Sequence, residues 1–315
     1  KALIMFFTGT LGIMLGGPFA LFTIKFFFPD ILNIEIKELA NGMTTIAGSW
    51  IGGGANQAAM MEVFNVDSIL FSKMVAVDII CANVLLAFLL VSVNKSKSID
   101  KMLKADSSSI EEIKNRIENY NRSIMKIPEL KDLIFILSVG FGITGFSHFF
   151  SDILSSLISN SYPFLEKYSL GSKFFWLVII STSLGVILSF TKLRKLEGVG
   201  SSKIGGLFIY ILVLTIGLKM DLFAIFHNPG LFLLGFLWIG FHFILLIIVA
   251  KIIKAPFFFV AVGSQANVGG AASAPIIASA FHPSLAAVGV LLAVLGYAVG
   301  TYAAYVCGII MQSMI

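Results

Sequence analysis

Seven stretches of this chain, at about 1–28, 68–93, 132–158, 173–190, 204–220, 229–250 and 284–312, are apolar over nearly their whole length. A helix needs about 20 apolar residues to cross a hydrocarbon core of about 30 Å, and each stretch reaches or nearly reaches that length. Such a chain folds in a bilayer, as an all-α polytopic membrane protein. Charged residues are 12% of the 315, against roughly 25% in soluble domains, which excludes an ordinary globular protein. The short alternating segments that build a β-barrel do not occur.

Two further apolar stretches, roughly 41–65 and 256–281, are interrupted by glycine and bare amides. The first carries Gly48-Ser49-Trp50-Ile51-Gly52-Gly53-Gly54-Ala55-Asn56-Gln57. The second carries Gly263-Ser264-Gln265-Ala266-Asn267-Val268-Gly269-Gly270-Ala271-Ala272-Ser273. A backbone that breaks at membrane depth survives only where protein or an aqueous cavity satisfies its N–H and C=O groups. One such break in each half of a chain is the best sequence pointer to a transporter's binding site.

Shifting the sequence by 217 residues aligns the halves: Gly52, Gly53 and Ala55 fall on Gly269, Gly270 and Ala272, Phe64 on Phe281, and Ala76-Val77 on Ala293-Val294. The order of elements follows the same offset, so the chain reads as a duplication. Residues 1–94 are a first repeat, 95–131 a linker and 132–315 a second repeat. The second repeat holds three spans before its counterpart of 1–28. The first repeat lacks these and reads as incomplete at its N-terminus.

Nine of the 22 Lys and Arg fall in 95–131, beside six acids. With Lys192, Arg194, Lys195, Lys203, Lys251 and Lys254 they assign these loops to the cytoplasmic side. The net charge of +5 is therefore a topological signal and not a nucleic-acid footprint. If the glycine segments crossed fully, spans 1–28 and 229–250 would run the same way; if both are re-entrant hairpins, the halves are inverted. Inverted repeats with midplane half-helices are the common transporter plan, which favours hairpins over broken crossing helices. Within the linker, Ile110, Ile113, Ile117 and Ile124 recur at helical spacing, Ser109 with Glu112 makes a capping box, and Pro128 stops the run. That pattern reads as an amphipathic helix lying on the membrane.

Neither a metalloprotease, P-loop or nucleophile-elbow motif nor a paired-cysteine pattern is present, so the sequence offers no enzyme machinery. Cys81 and Cys307 read as small buried hydrophobes. The candidates for function are polar groups at membrane depth, which are expensive there. Asp78 lies near the midplane of its span, where a carboxylate either pairs with a cation or titrates, and Asn83 is placed to share its site. Lys73 lies on another side of the helix, and Asp67 reads as a helix cap. The candidate substrate- and ion-binding set is Ser49, Gly52, Gly53, Asn56, Gln57, Asp78, Asn83, Ser264, Gln265, Asn267, Gly269, Gly270 and Ser273. Of these Asn56, Asp78, Gln265 and Asn267 are candidate Na⁺ ligands. Tight helix packing accounts for the glycines but not for the amides. His242, one turn after Trp238, reads as a structural hydrogen bond, and His148 with Asp152 as interfacial. Arg116, Arg122 and Arg194 are the only arginines, all in loops. A multiply charged carboxylate normally wants a guanidinium fork, so citrate- or malate-like substrates are disfavoured.

The paired signatures, with Gly217-Leu218-Lys219-Met220-Asp221-Leu222, resemble the cation:proton antiporter/anion transporter superfamily. Within it the chain is most similar to the YjcL-like uncharacterised integral membrane family of bacteria (domain of unknown function 819). Sodium–glutamate and sodium–citrate symporters are similar in carrying a glycine motif in each of two inverted halves. The resemblance implies an elevator-type transporter in the bacterial inner membrane, a homodimer with a scaffold domain and a mobile core bearing both hairpins. The expected function is secondary active transport of a small polar or anionic metabolite, coupled to Na⁺ or H⁺, with no other cofactor and no nucleic-acid partner. The alternatives are a cation/proton antiporter and a non-transporting membrane sensor or scaffold.

Overall fold

The computed structural model describes residues 1–28, 31–32, 34–106, 108, 119, 123–168, 170–171, 173–218 and 229–315. Among them the chain forms twelve α-helices and no strand. The first five are α1 (Ala2–Phe27), α2 (Ile36–Gly52), α3 (Gly54–Val63), α4 (Ser68–Val93) and α5 (Ser96–Leu103). There follow α6 (Leu130–Ser161), α7 (Lys173–Ser189), α8 (Ser201–Leu218) and α9 (Pro229–Ile253). The last three are α10 (Phe257–Val268), α11 (Gly270–Phe281) and α12 (Ala286–Gln312). Helices α1, α4, α6 and α9 are long and apolar enough to cross a membrane, and α12 adds a fifth span, bent by 53° between Val288–Tyr297 and Val299–Gln312. The chain is thus a multi-pass helical protein of the kind its apolar stretches predict. The linker residues Ser109, Ile110, Glu112, Ile113, Arg116, Ile117 and Arg122, and residues 219–222 of the helix-ending pattern, lie outside the described residues.

Helices α1 and α9 pack tightly because α1 offers glycines where α9 offers its bulkiest groups. A Cβ added at Gly12 would stand 3.1 Å from His242 Cα, and one at Gly16 would stand 2.6 Å from Trp238 Cδ1. Small residues allow this approach where no hydrophobic driving force separates helix from lipid. The two run antiparallel. Lys1 Nζ donates to Lys254 O at one end, Trp238 Nε1 donates to Ile13 O midway, and Gly230 packs on Ile31 and Leu32 at the other end. By contrast α12 runs alongside α1 in the same direction, with Cys307 near Gly17 and Met314 O accepting from Lys25 Nζ. Helix α4 likewise follows α9, with Cys81 against Gly235 and Phe88 against Phe243.

Each glycine-rich segment folds back as a helical hairpin. In α10–α11 the first and last residues meet, with Phe257 and Phe258 at ring-centroid distances of 6.1 and 5.3 Å from Phe281. In α2–α3 the backbone of Gly48 packs on Asn56 and Gln57, and Thr44 and Phe64 return to the same point on Gly308. The hairpins enter from opposite ends. The base of the first sits at the C-terminal end of α12, where Gln312 Nε2 donates to Asn41 Oδ1. The second starts beside Lys254, at the N-terminal end of α1.

The start of the basic linker meets that second end, and the linker's far end meets the basic turn 192–199. The Asp106 N–H donates to Lys254 O, and the Lys126 N–H donates to Gly198 O in the 192–199 turn. Each contact joins two segments that their charge assigns to the same side. Asp100 Oδ1 accepts the Phe257 N–H at 2.6 Å, so α5 caps the first turn of α10 from 157 residues away. Helix N-termini leave N–H groups without intrahelical partners, and a side-chain acceptor there is worth about 0.5–2 kcal/mol. Asp100→Ala is expected to lower the detergent melting temperature accordingly, and Asp100→Asn to recover most of the loss.

Candidate functional site

The two hairpin tips meet at the middle of α12. Gly296 lies against both first-arm ends, since an added Cβ would stand 2.6 Å from Ile51 O and 3.2 Å from Ala266 O. One turn on, Gly300 rests directly on the Gly52 backbone. Tyr297 reaches both tips, with its ring 3.0 Å from a Cβ placed on Gly53 and its hydroxyl 3.7 Å from one placed on Gly270. Both turns place a glycine at positive φ. Gly53 has φ 80° and ψ −177°, a region closed to other residues, and Gly270 has φ 57°.

Asp78 faces the first tip from α4. It is the eleventh residue of a helix starting at Ser68, roughly 15 Å along at 1.5 Å per residue, and only 7% exposed. Its Oδ2 accepts from Ser49 Oγ at 2.7 Å and from Gln57 Nε2 at 3.2 Å. One donor comes from each arm, so the carboxylate clamps the hairpin shut around Gly53. Among the described residues these are the two hydrogen bonds of good geometry to the carboxylate, and no lysine, arginine or histidine pairs with Asp78. Trp50, edge-on to Trp238 at 5.2 Å, turns its buried indole N–H toward the Asp78 carboxylate without reaching good hydrogen-bond geometry. Asn56 bridges to α12: its Oδ1 accepts from Thr301 Oγ1 at 2.5 Å and its Nδ2 donates to Gly52 O at 2.8 Å.

The second hairpin is fastened to α1 and α9 instead. Asn267 Oδ1 accepts from Thr10 Oγ1 at 2.8 Å, and its Nδ2 donates to Phe6 O and Gly263 O at 2.9 and 3.0 Å. Ser264 Oγ lies 2.9 Å from His242 Nε2, while His242 Nδ1 lies 3.0 Å from Gly9 O. A carbonyl only accepts, so Nδ1 carries the proton and neutral His242 accepts from Ser264. Gln265 Oε1 accepts from Ser273 Oγ at 2.6 Å, beside Gly269, and leaves Nε2 buried without a partner.

The structure thus brings Ser49, Gly52, Gly53, Asn56, Gln57 and Asp78 together at one tip, and Gln265, Gly269, Gly270 and Ser273 at the other. The four Na⁺ candidates divide between the hairpins, with Asn56 and Asp78 at the first and Gln265 and Asn267 on the second. Asp78 makes no hydrogen bond to Asn56, Gln265 or Asn267, and the Asn267 amide is committed to α1. Asn83 turns back to its own helix, donating to Ile79 O at 2.8 Å. Asp67 caps α4 as its position predicts, accepting from the Ile69 and Leu70 N–H groups. Asp152 pairs with Lys173 at an exposed position. Tyr297, Thr301 and Thr10 escape the sequence reading; the signal for the first two is a pair of polar residues one turn apart in an otherwise apolar span.

The chain spans about three quarters of the length of a curated relative, the uncharacterized membrane protein YjcL of Bacillus subtilis (strain 168). The two are 29% identical over 314 residues, covering 96% of this chain and 74% of the relative. No solved structure matches it. The model of the family described as "Protein of unknown function (DUF819)" matches residues 1–314, and the chain belongs to that family.

Proposed function

We propose that this protein is a secondary active transporter in which a small polar solute binds between the hairpin tips and Asp78 carries the coupling cation, Na⁺ or H⁺. The observation that carries the reading is a buried carboxylate with no countercharge, held by both arms of a hairpin whose tip meets a second hairpin entering from the other end. An ionised carboxylate in hydrocarbon is costly unless paired. A cation on Oδ1 relieves that cost, and the contacts of Ser49 and Gln57 with Oδ2 link its arrival to the shape of the tip.

The antiparallel run of α1 and α9 supports inverted repeats, as do the matched parallel pairs α1 with α12 and α9 with α4. Residues 1–94 and 132–315 are then the two repeats. Helices α6–α8 are the scaffold of an elevator, whose exposed apolar face is where a second copy would sit in a homodimer. A cation/proton antiporter is the second reading, favoured by a buried carboxylate that no cationic side chain among the described residues meets. Reconstituted liposomes separate the two. An antiporter acidifies or alkalinises the lumen when a Na⁺ gradient is imposed without solute, whereas a symporter moves label only with its solute. If imposed Na⁺ and pH gradients drive neither ion nor solute, the transport reading fails.

A further inference from the structure

We infer that the cytoplasmic half of α6 carries a binding site for a two-chain anionic phospholipid. Two apolar grooves flank that stretch of helix. One, of about 360 Å³, lies between Ile136, Gly140 and Thr144 of α6 and Ile204, Gly205 and Phe208 of α8. The other, of about 340 Å³, lies between α6 and α7, bordered by Leu188 and by Leu193 and Arg194 of the 192–199 turn. Ile136, Gly140 and Ser201 line both grooves, and Ser201 stands just beyond that turn. The wall hydroxyls of Thr144 and Ser201 already donate, to Gly140 O and Glu197 Oε2, so the lining suits hydrocarbon. From Ile136 to Thr144 the first groove runs about 12 Å at 1.5 Å per residue. One leaflet supplies about 15 Å of hydrocarbon, half of a core of about 30 Å. The groove is one acyl layer deep.

Charge decides what sits at the mouth. The turn and the start of α8 expose Lys192, Arg194, Lys195 and Lys203, and Glu197 is the one acid between Thr191 and Gly205. The acids at the start of α6 are matched nearby, Asp132 by Lys126 at 3.0 Å and Glu129 by Lys131 at 2.7 Å. A net positive rim is left at the membrane surface, on the side that loop charge assigns to the cytoplasm. Anionic headgroups gather in that leaflet, and basic pockets between spanning helices there take lipid phosphates. Arg194 lines the second groove itself, and a guanidinium fork matches a phosphate. Lipid also has access: 11% of the most apolar window of α6 is buried, against 50%, 44% and 39% in α1, α4 and α9. In a two-fold dimer on this face the basic rims of both copies would share one end, and an anionic lipid there offsets that like charge.

The test is the melting temperature of the protein in neutral detergent, titrated with phosphatidylglycerol, single-chain lysophosphatidylglycerol, phosphatidylcholine or inorganic phosphate. Binding to the folded state alone raises apparent stability in a saturable way. The expected result is a saturable rise with phosphatidylglycerol, a weaker affinity for its single-chain form, and no rise with phosphatidylcholine or phosphate. Arg194→Gln should raise the half-saturating concentration about fivefold, the effect of one basic residue at a membrane surface. Gly140→Leu should abolish the rise, because an added Cβ at Gly140 meets nothing within 4 Å and the longer side chain fills groove space without displacing a helix. Each rise is read from that variant's own lipid-free melting point. An equal response to phosphatidylcholine or to the single-chain lipid, a rise with phosphate alone, or no rise at all overturns the site, and these arms need only the native protein. So does a phosphatidylglycerol response that either variant leaves unchanged. A melting point that follows protein concentration and not headgroup also overturns it, and assigns the grooves to a second copy.

Discussion

Asp78→Asn is expected to abolish cation-coupled flux while leaving the protein folded. Asparagine has the shape of the carboxylate, and its Oδ1 can still accept from Ser49 and Gln57, so the clamp on the first hairpin persists. What disappears is the charge. Among the described residues no cationic side chain meets Asp78, and its carboxylate offers an incoming cation a formal negative charge at this depth. A loss of about 100-fold in coupled flux corresponds to ~2.8 kcal/mol of differential binding, within reach of a charge-assisted contact away from water. The melting temperature should stay level or rise, because an uncompensated buried charge is removed. If Asp78 were only a structural acceptor, Asp78→Asn would keep the clamp and spare the flux.

The second large effect is on assembly. In Gly300→Ala the new methyl group would fall on the Gly52 backbone and within 2.5 Å of Asn56 Nδ2. Backbone cannot step aside as a flexible side chain can, so α12 and the first tip must separate. Overpacking of this kind costs about 1–3 kcal/mol, and a detergent melting point roughly 3–10 °C lower is expected. Flux should fall with it, since Thr301 and Asn56 join the same two elements one residue away. Gly54→Ala is the control: an added Cβ there has nothing within 4 Å, so stability should stay within about 0.5 kcal/mol.

The helices were legible because bilayer length and apolarity leave few choices: the stretches 68–93 and 229–250 return as Ser68–Val93 and Pro229–Ile253. Glycine and amides inside apolar sequence marked both hairpins, and depth along the helix marked Asp78. The partners of those groups were not legible. Thr10 with Asn267, Thr301 with Asn56, and Asp100 with the α10 N-terminus join residues 257, 245 and 157 positions apart. Sequence spacing carries no trace of such pairs. The same limit applies to Asn267, whose amide bonds to Thr10 and Phe6 of α1, and to Asn83, whose Nδ2 donates to Ile79 O of its own helix.

The central claim is a solute site at the meeting of two hairpins, open in turn to each side of the membrane. Thiol labelling of Gly54→Cys tests it most directly, because Gly54 is exposed at the tip while native Cys81 and Cys307 are fully buried. A membrane-impermeant reagent is applied to right-side-out and to inverted vesicles, with Na⁺ or pH varied. Labelling from both sides, in a balance that shifts with the cation, is the predicted result. Labelling from one side only, whatever the ionic conditions, would contradict the account.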